Sequence, residues 1–494
     1  RCRVTSSKYP SPETDTVSPP PLGEHDAQRR AQILTTDQMR AAEAALFDAG
    51  VEEWALMSQA GHGAAEWIAR LAAGGPVTVL CGPGHNGGDG YVAAAALKAR
   101  GLTVRVVAPI SPQTDLARHA ASTFDGEVLS DAEGVRGTVF VDAMFGIGLS
   151  RPLSDEHRAL IRDLHASHDR AVALDVPSEV DSDTGDVVGG EGDNVPRYAL
   201  TLAFGAWKPA HFSGPALASI GAARLVDIGV PDRGGSMRLS LPERIAPPAF
   251  DAHKYTRGLV AVVGGAMAGA SLMASRAAAL AGAGYVKWLS EHDHPGHPPD
   301  LVKDDARLAD ALGDKRIGAV LIGPGLGRDD TARERLEAAV RSGHRLVLDA
   351  DALVLLTSEI LAAKGDAPIL LTPHEGELSH LCDAFDVAGD TKRERALALS
   401  QATGCAVLAK GADTLLASAE DVRFFPPASR WLSVAGSGDV LAGICAARLA
   451  ATGDAMQGAC EAVHLHGRAA RHAGAGFTAT MLAEAVHPAL EDML

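Results

Sequence analysis

Short apolar runs alternate with segments of helical periodicity along most of the chain. Runs at 77–81, 103–107, 138–142, 171–176 and 200–204 predict buried strands in the first half. A second series of predicted strands lies at 259–263, 319–322, 345–348, 369–371 and 405–408. Fully apolar strands that alternate with helices are typical of a parallel sheet with helices on both faces. The pattern therefore predicts an α/β fold with two doubly wound, three-layer αβα domains.

Composition changes mark the boundaries of these domains. With 494 residues, the chain is longer than one hydrophobic core usually supports. Residues 1–32 are rich in Pro, Ser, Thr and charge, which predicts a disordered tail. A stretch bearing Pro and Gly separates the two series of strands. We expect a tail at 1–32, a first domain at 33–232, a linker at 233–250 and a second domain at 251–494.

Charge and cysteine content narrow the class of protein. A formal net charge of -17 argues against nonspecific binding to nucleic acid or to an acidic membrane. The six cysteines form no CxxC pair, which favours reduced thiols over a zinc site. No apolar run has the length of a membrane helix, and the N-terminal residues lack the apolar core of a signal peptide. We therefore expect a cytoplasmic protein.

A glycine-rich loop follows the first predicted strand. The segment from Gly82 to Gly90 reads GPGHNGGDG, and an Ala-rich helix is predicted over 91–100. The GxGxxG spacing brings backbone N–H groups close to a phosphate. However, the next strand leads into Ala108 and Pro109, not into a carboxylate for ribose hydroxyls, and no Lys-Ser or Lys-Thr pair follows the glycines. These absences argue against a hydride-transferring dehydrogenase and against a P-loop.

Two aspartates close strands beside this loop. Asp142 ends the strand that leads into 143–152, and Asp175 ends the strand that leads into 176–181. Ligands of open α/β sheets bind beyond the carboxyl ends of the strands. A single Asp there could simply cap a helix. Two of them next to a glycine loop favour a binding site.

Four motifs in the first half resemble the epimerase domain that acts on hydrated NADH and NADPH (NADHX and NADPHX). They are NGGDG at 86–90, VDAMFGIGLSRP at 141–152, LDVPS at 174–178 and FGAWKPAH at 204–211. The resemblance spans residues 33–230 and implies a Rossmann-like domain with Asp175 as the proton-transfer residue. The substrate-binding residues that it implies are His85, Asn86, Gly87, Gly88, Asp89, Gly146, Ile147, Gly148, Leu149, Ser150, Arg151, Pro152 and Asp175.

The same resemblance implies a potassium ion held by Asn86, Asp142 and Ser178. Amide, hydroxyl and carboxylate oxygens suit such a hard cation better than thiolates do. Two positions depart from the family pattern: His85 replaces the usual Asn, and Glu179 replaces the usual Gly. If residue 179 needs a positive φ, Glu would cost about 1 kcal/mol or more there.

A second glycine loop opens a helix near the end of the chain. The segment from Ala435 to Gly443 reads AGSGDVLAG. Glycines at a helix start expose N–H donors to an anion, and Asp439 among them can take a proton from a hydroxyl that is being phosphorylated. Polar or glycine-rich loops also follow the strands before 323–327, 349–353, 372–377 and 410–414. Such loops at the ends of neighbouring strands predict one crevice.

GSGD near the C-terminus resembles the ribokinase-like fold. The motifs GPGLG, DADAL, TPHEGE, KGADT and AGSGDVLAG together resemble the ADP-dependent NAD(P)HX dehydratase over residues 252–494, although Ala435 replaces a usual Gly. Asp439 would then be the base, with Mg²⁺ as counter-ion of the nucleotide. The implied nucleotide-binding residues are Lys410, Gly411, Ala412, Asp413, Thr414 and Gly438. The implied contacts to the hydrated dinucleotide are Ala270, Gly325, His374 and Asp439.

Both resemblances together predict an enzyme that repairs hydrated NADH and NADPH. The first domain would interconvert the R and S epimers, and the second would dehydrate the S form with ADP. Two alternatives stay open: a small-molecule kinase of the ribokinase-like fold, and a first domain that is only a nucleotide-binding or interaction module. We expect small-molecule partners (NADHX, NADPHX and ADP), no nucleic acid, no membrane, and a homo-oligomer.

Overall fold

The computed structural model describes residues 24–149, 151–189 and 195–494. The described residues of the first part of the chain form these α-helices: α1 Glu24–Ala31, α2 Thr36–Asp48, α3 Glu53–Ala72, α4 His85–Ala99, α5 Asp115–Ser122, α6 Asp155–Ala166 and α7 Leu217–Ile220. Its strands are β1 Val77–Cys81, β2 Val104–Val107, β3 Glu127–Leu129, β4 Gly137–Ala143, β5 His168–Leu174, β6 Leu200–Phe204 and β7 Ala222–Val226.

These seven strands form one parallel sheet in the order β3-β2-β1-β4-β5-β6-β7. All residues of β1 and β6 are buried, because helices cover both faces of the sheet. The strand order changes direction at β1, so the loops after β1 and β4 diverge and leave a crevice at the carboxyl edge. This arrangement confirms the predicted fold class for the first half.

The glycine loop differs from its prediction in one respect. Helix α4 begins at His85, not at residue 91, so NGGDG forms the first turns of the helix. A Cβ on Gly82 would lie 1.7 Å from the carbonyl oxygen of Met144, and one on Gly87 would lie 1.9 Å from the carbonyl oxygen of Gly82. Gly82 is therefore required by close packing against the loop after β4, and Gly87 by close packing of the start of α4 against the loop after β1.

The second sheet has ten strands, of which the first comes from the predicted linker: β8 Met237–Leu239, β9 Leu259–Val263, β10 Tyr285–Leu289, β11 Val302–Asp304, β12 Ile317–Ile322, β13 Leu346–Leu348, β14 Ile369–Leu371, β15 Ala406–Ala409, β16 Leu415–Ala417 and β17 Val422–Phe424. Their order is β11-β10-β9-β12-β13-β14-β15-β16-β17-β8. Strands β9 to β15 pair in parallel, whereas β16 runs antiparallel to both of its neighbours.

Helices cover both faces of this sheet as well: α8 Ala268–Leu280, α9 Leu308–Ala311, α10 Asp330–Arg341, α11 Asp351–Leu355, α12 Ser358–Leu361, α13 Glu375–Ala384, α14 Lys392–Thr403, α15 Ser437–Thr452, α16 Ala455–Ala473, α17 Ala479–Glu484 and α18 Val486–Glu491. A Cβ on Gly443 of α15 would lie 2.1 Å from the carbonyl oxygen of Ala274 in α8. Small side chains thus let these two helices pack closely on the sheet, as the Ala-rich sequence suggests.

Two predicted boundaries need correction. Residues 24–31, assigned to a disordered tail, form α1, and the buried Gln32 pairs with Arg238. Residues 1–23 lie outside the described part of the chain. Within the predicted linker, β8 pairs in parallel with β17 of the second sheet. Apolar alternation over so few residues was too short to be recognised in the sequence.

The domains also share a hydrophobic cluster. Trp207 and Phe212 of the first domain pack in the same buried cluster as Met237 and Leu239 of β8. Ile33 belongs to it too and forms a bridge with Trp207. The chain therefore joins its two sheets through a common core.

The described residues bear on two expectations from the sequence, namely reduced thiols and the absence of a membrane helix. The five cysteines in this part of the chain carry free thiols, and all but Cys460 are buried. No helix described in the structure combines the length and apolar character needed to cross a membrane.

Candidate active sites

The first cavity, of about 490 Å³, opens at the carboxyl edge of the first sheet. Seven of the predicted substrate-binding residues line it: His85, Asn86, Asp89, Gly146, Ile147, Gly148 and Asp175. They come from the start of α4 and from the loops after β4 and β5. The glycine loop and the two strand-end loops thus meet at one site, as the sequence predicts.

Asp175 forms a buried ion pair that the sequence analysis did not predict. Lys208 Nζ lies 2.5 Å from Asp175 Oδ1, and the Lys208 side chain is 0% exposed. The backbone at Asp175 has a φ of +63°, and its N–H donates to the carbonyl oxygen of Leu202. Phe204 N–H donates to the same carboxylate oxygen at 3.2 Å. This strained turn aims the carboxylate back toward β6 and the lysine, at the edge of the cavity.

A neutral histidine is hydrogen-bonded to the backbone of the turn at Asp175. Nε2 of His211 lies 2.7 Å from the carbonyl oxygen of Asp175. Burial, and then the positive charge of Lys208, lowers the pKa of His211 to about 4. The imidazole is therefore neutral near pH 7, with the Nε2–H donating to Asp175 and Nδ1 accepting from Lys208 N–H.

Two further acids face the same cavity. Burial raises the pKa of Asp89 well above its usual range, and the charges of Asp175 and Glu43 raise it further. Burial also raises the pKa of Glu43, against the lowering effect of Lys208. The cavity thus places a carboxylate paired with a lysine beside an aspartic acid that favours its protonated form.

Of the three predicted potassium ligands, Asn86 in the first turn of α4 lines this cavity, whereas Asp142 near the end of β4 and Ser178 after β5 do not. The buried carboxylate of Asp142 accepts hydrogen bonds from the Ser178 hydroxyl, the Ser178 and Met144 N–H groups, and the Tyr198 hydroxyl. Burial nevertheless raises the pKa of Asp142. The side-chain oxygen and nitrogen of Asn86 are buried without a hydrogen-bond partner among the described residues, and a Cβ on Gly146 would lie 3.4 Å from that oxygen. An unsatisfied buried amide of this kind fits a bound ion or ligand.

Five predicted residues do not line the cavity. They are Gly87, Gly88, Leu149, Arg151 and Pro152. A Cβ on Gly88 would meet the Met57 side chain at 2.6 Å, and Pro152 packs on Gly189. Gly87 and Gly88 therefore serve close packing, whereas Pro152 lies away from the cavity. Ser150 falls outside the described residues.

The departure at Glu179 causes no backbone strain, because its φ is not positive. Its side chain is buried, with Arg158 Nε at 3.6 Å and an Arg162 nitrogen at 3.5 Å from Oε2. Burial raises the pKa of Glu179, and the two arginines oppose this. The expected cost of a Glu at this position is therefore absent, and two cations balance its charge.

A larger crevice, of about 1110 Å³, lies at the edge of the second sheet. All six predicted nucleotide-binding residues line it, namely Lys410, Gly411, Ala412, Asp413, Thr414 and Gly438. Lys392 braces the turn between β15 and β16, because its Nζ donates to Asp413 Oδ1 at 2.6 Å and to the carbonyl oxygen of Lys410 at 2.9 Å. The start of α15 and the KGADT turn thus face one another, and a Cβ on Gly438 would lie 3.6 Å from Lys410 Nζ.

Asp349 connects this crevice to the strand ends beside it. Its Oδ1 accepts hydrogen bonds from Lys410 Nζ at 2.6 Å and from the Thr372 hydroxyl at 2.8 Å. Burial alone would lower the pKa of Lys410, but the charge and hydrogen bond of Asp349 raise it overall. Burial, and then the charge of Asp349, raises the pKa of Asp439 to about 6, while Lys410 opposes the shift. Asp439 therefore lies within electrostatic reach of the lysine–aspartate pair.

The other predicted contacts of the second domain, Ala270, Gly325 and His374, do not line the large crevice, and neither does Asp439 itself. A Cβ on Gly325 would lie 3.1 Å from the Cβ of Ala270, so these two residues are neighbours. His374 caps α13 and follows Pro373, whose carbonyl oxygen accepts from Lys410 N–H. Gly325 and His374 therefore follow the ends of β12 and β14, whereas Ala270 lies on α8 beside Gly325.

One segment borders both cavities. Phe204 and Lys208 line the first cavity, and Ser213, Gly214 and Pro215 line the second. A short 3₁₀ turn, Pro209–His211, separates the two groups. Only a few residues of chain therefore connect the wall of one site to the wall of the other.

Four residues that the structure places in or next to these sites were not predicted from the sequence: Lys208, Glu43, Asp349 and Thr372. Lys208 stands in FGAWKPAH, and Asp349 and Thr372 begin DADAL and TPHEGE. The motifs were therefore recognised, but their individual roles were not. Glu43 lies on α2 in no recognised motif, so only the packing of that helix reveals it.

Comparisons with known proteins match both halves. The family model described as NAD(P)H-hydrate dehydratase matches residues 260–491, and the model described as YjeF-related protein N-terminus matches residues 53–210. The bifunctional NAD(P)H-hydrate repair enzyme Nnr of Gloeobacter violaceus is 34% identical over 93% of this chain and 97% of its own length. Nnr of Salinibacter ruber is 33% identical, over 90% of this chain and 92% of its own length. Among solved structures, the ADP/ATP-dependent NAD(P)H-hydrate dehydratase of Bacillus subtilis aligns with 51% of this chain and 95% of its own, with 22% identity and a TM-score of 0.43.

Proposed function

Because the chain belongs to the family of bifunctional NAD(P)H-hydrate repair enzymes, we propose that its two cavities are the active sites of the two repair reactions. The enzyme epimerises NADHX and NADPHX and dehydrates the S epimers to NADH and NADPH. The single observation that supports the assignment of sites best is the pair of catalytic candidates: Asp175 lines the cavity of the first domain, and Asp439 opens α15 beside the nucleotide crevice of the second.

The substrate of the first domain carries a hydroxyl on the ring carbon next to the nitrogen. We propose that Asp175, held by Lys208, takes the proton of this hydroxyl. The carbon–nitrogen bond then breaks, an aldehyde forms, and the electron pair moves onto the ring nitrogen and its conjugated amide. When the nitrogen attacks the opposite face of the aldehyde, the proton returns to the oxygen and the centre is inverted. No net proton or electron is exchanged.

The oxygens of Asn86, Asp142 and Ser178 fit a potassium ion, because the side-chain amide of Asn86 is buried without a hydrogen-bond partner among the described residues and the other two are linked to each other. When bound, the ion would supply a positive charge that holds the loops after β1, β4 and β5 together. His85 is exposed at the mouth of the cavity, where a polar contact to substrate is available. We therefore expect the epimerase to be active despite His85 and Glu179.

In the second domain we propose that Asp439 takes the proton of the substrate hydroxyl while the terminal phosphoryl group of ADP transfers to that oxygen, which releases AMP. The lone pair of the ring nitrogen then expels phosphate, and loss of a proton from the adjacent carbon restores the dihydronicotinamide. Lys410 and the N–H groups at the start of α15 would stabilise the transferred phosphoryl group. The raised pKa of Asp439 suits a base that works near neutral pH.

Magnesium would enter with the phosphates of ADP, whose charge it neutralises. Among the described residues, no group of three or more His, Cys, Asp or Glu side chains is arranged to hold a metal ion. Mg²⁺ commonly takes part of its coordination from substrate phosphates and from water.

The kinase alternative shares the fold and the GSGD loop. Family membership over both halves favours the repair enzyme, as does the fused first domain with its own charged cavity. The free thiols of the described residues agree with a reducing compartment, and we propose that the enzyme is cytoplasmic. The homo-oligomer stays a prediction, which light scattering on the purified chain tests.

The decisive experiment uses an R and S mixture of NADHX with Mg²⁺ and either ADP or ATP. Full recovery of dihydronicotinamide absorbance with ADP is expected, since the epimerase feeds the dehydratase. Asp175→Asn should slow recovery of the R half only, and Asp439→Asn should abolish all recovery while epimerisation continues. No recovery by the unmodified protein with either nucleotide would refute the proposal, and a stable phosphorylated product would favour the kinase.

A further inference from the structure

The first domain forms one wall of the nucleotide crevice. Residues of the first domain within 183–186 and 213–221, and Arg197, line the same crevice as the KGADT turn and the start of α15. The wall is thus composed of the turn after β5 and the segment around α7. The family resemblance assigned nucleotide binding to the second domain alone.

Direct contacts connect this wall to the KGADT turn. Arg393 of α14 donates to the carbonyl oxygen of Asp183 at 3.5 Å, and the preceding residue, Lys392, pairs with Asp413 in the KGADT turn at 2.6 Å. Asp183 itself is fixed by the N–H of Thr36 at 2.7 Å. The two walls are therefore held together through the first turn of α14.

Charges in the crevice single out one residue of the first domain. Lys410, Lys392 and Arg395 are each paired with a carboxylate. In contrast, Arg197 and Arg430 make no ion pair among the described residues, and both are exposed in the crevice. An arginine without a carboxylate partner is available for a phosphate, which it binds through two parallel hydrogen bonds.

We propose that the nucleoside diphosphate binds between the two domains, with Arg197 of the first domain contacting its phosphates and the segment 213–221 covering it. This inference rests on the proposed function, because it concerns the nucleotide of the dehydratase reaction. The dehydratase site is then completed by the epimerase domain, and the two activities share a nucleotide-binding wall.

The test uses the full chain and measures the Kd of ADP by calorimetry, without NADHX. Arg197→Ala should weaken ADP binding about tenfold and raise the KM for ADP to the same extent. The kcat of dehydration, the KM for S-NADHX and the epimerisation rate should stay unchanged. Arg136→Ala is the matched control, because Arg136 is exposed on the first domain, makes no ion pair among the described residues and lines neither cavity.

A second variant tests the wall formed by the first domain by adding a bulky side chain instead of removing a charge. Ala218 is exposed on α7 and lines the crevice, whereas Ala222, also exposed, begins β7 and does not. Ala218→Trp should weaken ADP binding at least tenfold, and Ala222→Trp should leave it unchanged.

Wild-type affinity for ADP in both Arg197→Ala and Ala218→Trp overturns the inference, and so does a change confined to the KM for the dinucleotide. Failure of the proposed function is distinguishable, because then the unmodified protein would not dehydrate S-NADHX with ADP at all.

Discussion

At the scale of single residues, both proposed sites depend on an aspartate that lies close to a lysine. Asp175 is kept beside a fully buried lysine, whereas Asp439 lies near a second aspartate and is only partly compensated by Lys410. The same type of side chain is therefore placed in two different environments, an ion pair in one site and a partly compensated carboxylate in the other. Each arrangement gives a measurable consequence.

The dehydratase rate should depend on pH through Asp439. Since burial and Asp349 raise its pKa to about 6, the base is protonated and inactive below that pH, and kcat/KM should rise as pH increases through about 6. Asp349→Asn removes the negative charge and also frees Lys410, and both effects lower the pKa of Asp439. The acidic limb of the pH profile should therefore move to lower pH in this variant; a limb that stays in place contradicts the assignment of Asp439 as the base.

Breaking the buried pair of the first domain should destabilise the protein. Lys208→Met leaves Asp175 without its cation, and removing one partner of such a pair costs about 3 to 5 kcal/mol of unfolding free energy. Urea denaturation measures this loss, and epimerisation should disappear. The double variant Lys208→Met/Asp175→Asn should regain much of the stability but none of the activity. A single variant as stable as the double one would show that the pair is not coupled.

At the scale of elements, the start of α15 controls the dehydratase site. Gly436 has a φ of +90°, and a Cβ there would lie 2.8 Å from the Cβ of Ala479. Gly436→Ala should therefore shift the turn that carries Gly438 and Asp439, and we expect kcat/KM for dehydration to fall at least tenfold. Gly453→Ala is the control, since Gly453 ends the same helix with a φ of +73°.

Both glycine variants should lose about 1 to 2 kcal/mol of stability, because alanine is strained at positive φ. Only the first should lose dehydratase activity, and neither should change epimerisation. Equal loss of dehydration in both variants would mean that general destabilisation, not the geometry of the loop, is responsible.

Sequence patterns predicted those elements that are almost entirely apolar. Strands β1, β6, β9 and β14 have the predicted bounds because they are buried on both faces and contain no charged residue, the buried Thr78 and Thr201 being their only polar side chains. Strands near the sheet edges were missed, since β7 alternates exposed and partly buried residues and β10 contains Lys287. Edge strands face solvent, so their short alternating patterns resemble those of loops.

Like the strands, the residues of the candidate sites were predicted only in part. Polar loops after apolar strands revealed Asp142 and Asp175, because parallel strands bring their carboxyl ends to one edge. The glycine loop at a helix start revealed Asp439. Lys208 and Glu43 were missed because their nearness to Asp175 depends on the turn at that residue and on the packing of α2. Tertiary contacts of this kind leave no periodic signal in the sequence.

At the scale of the whole molecule, the shared cluster around Trp207, Phe212, Met237 and Leu239 should make the two domains unfold together. Calorimetry should then show one transition, and ADP should raise its midpoint as a whole. Leu239→Ala, which leaves a cavity in the cluster, should separate the transition into two. Two separate transitions in the unmodified protein, with ADP shifting one of them, would contradict this coupling.

The short stretch that runs from Phe204 and Lys208 to Pro215 has a consequence for how such a chain can change over generations. A substitution in this stretch that improves one active site also affects the other, because the same short segment borders both cavities. Adaptation of either reaction is therefore constrained by its neighbour, and this constraint gives a reason for the two to be inherited as a unit.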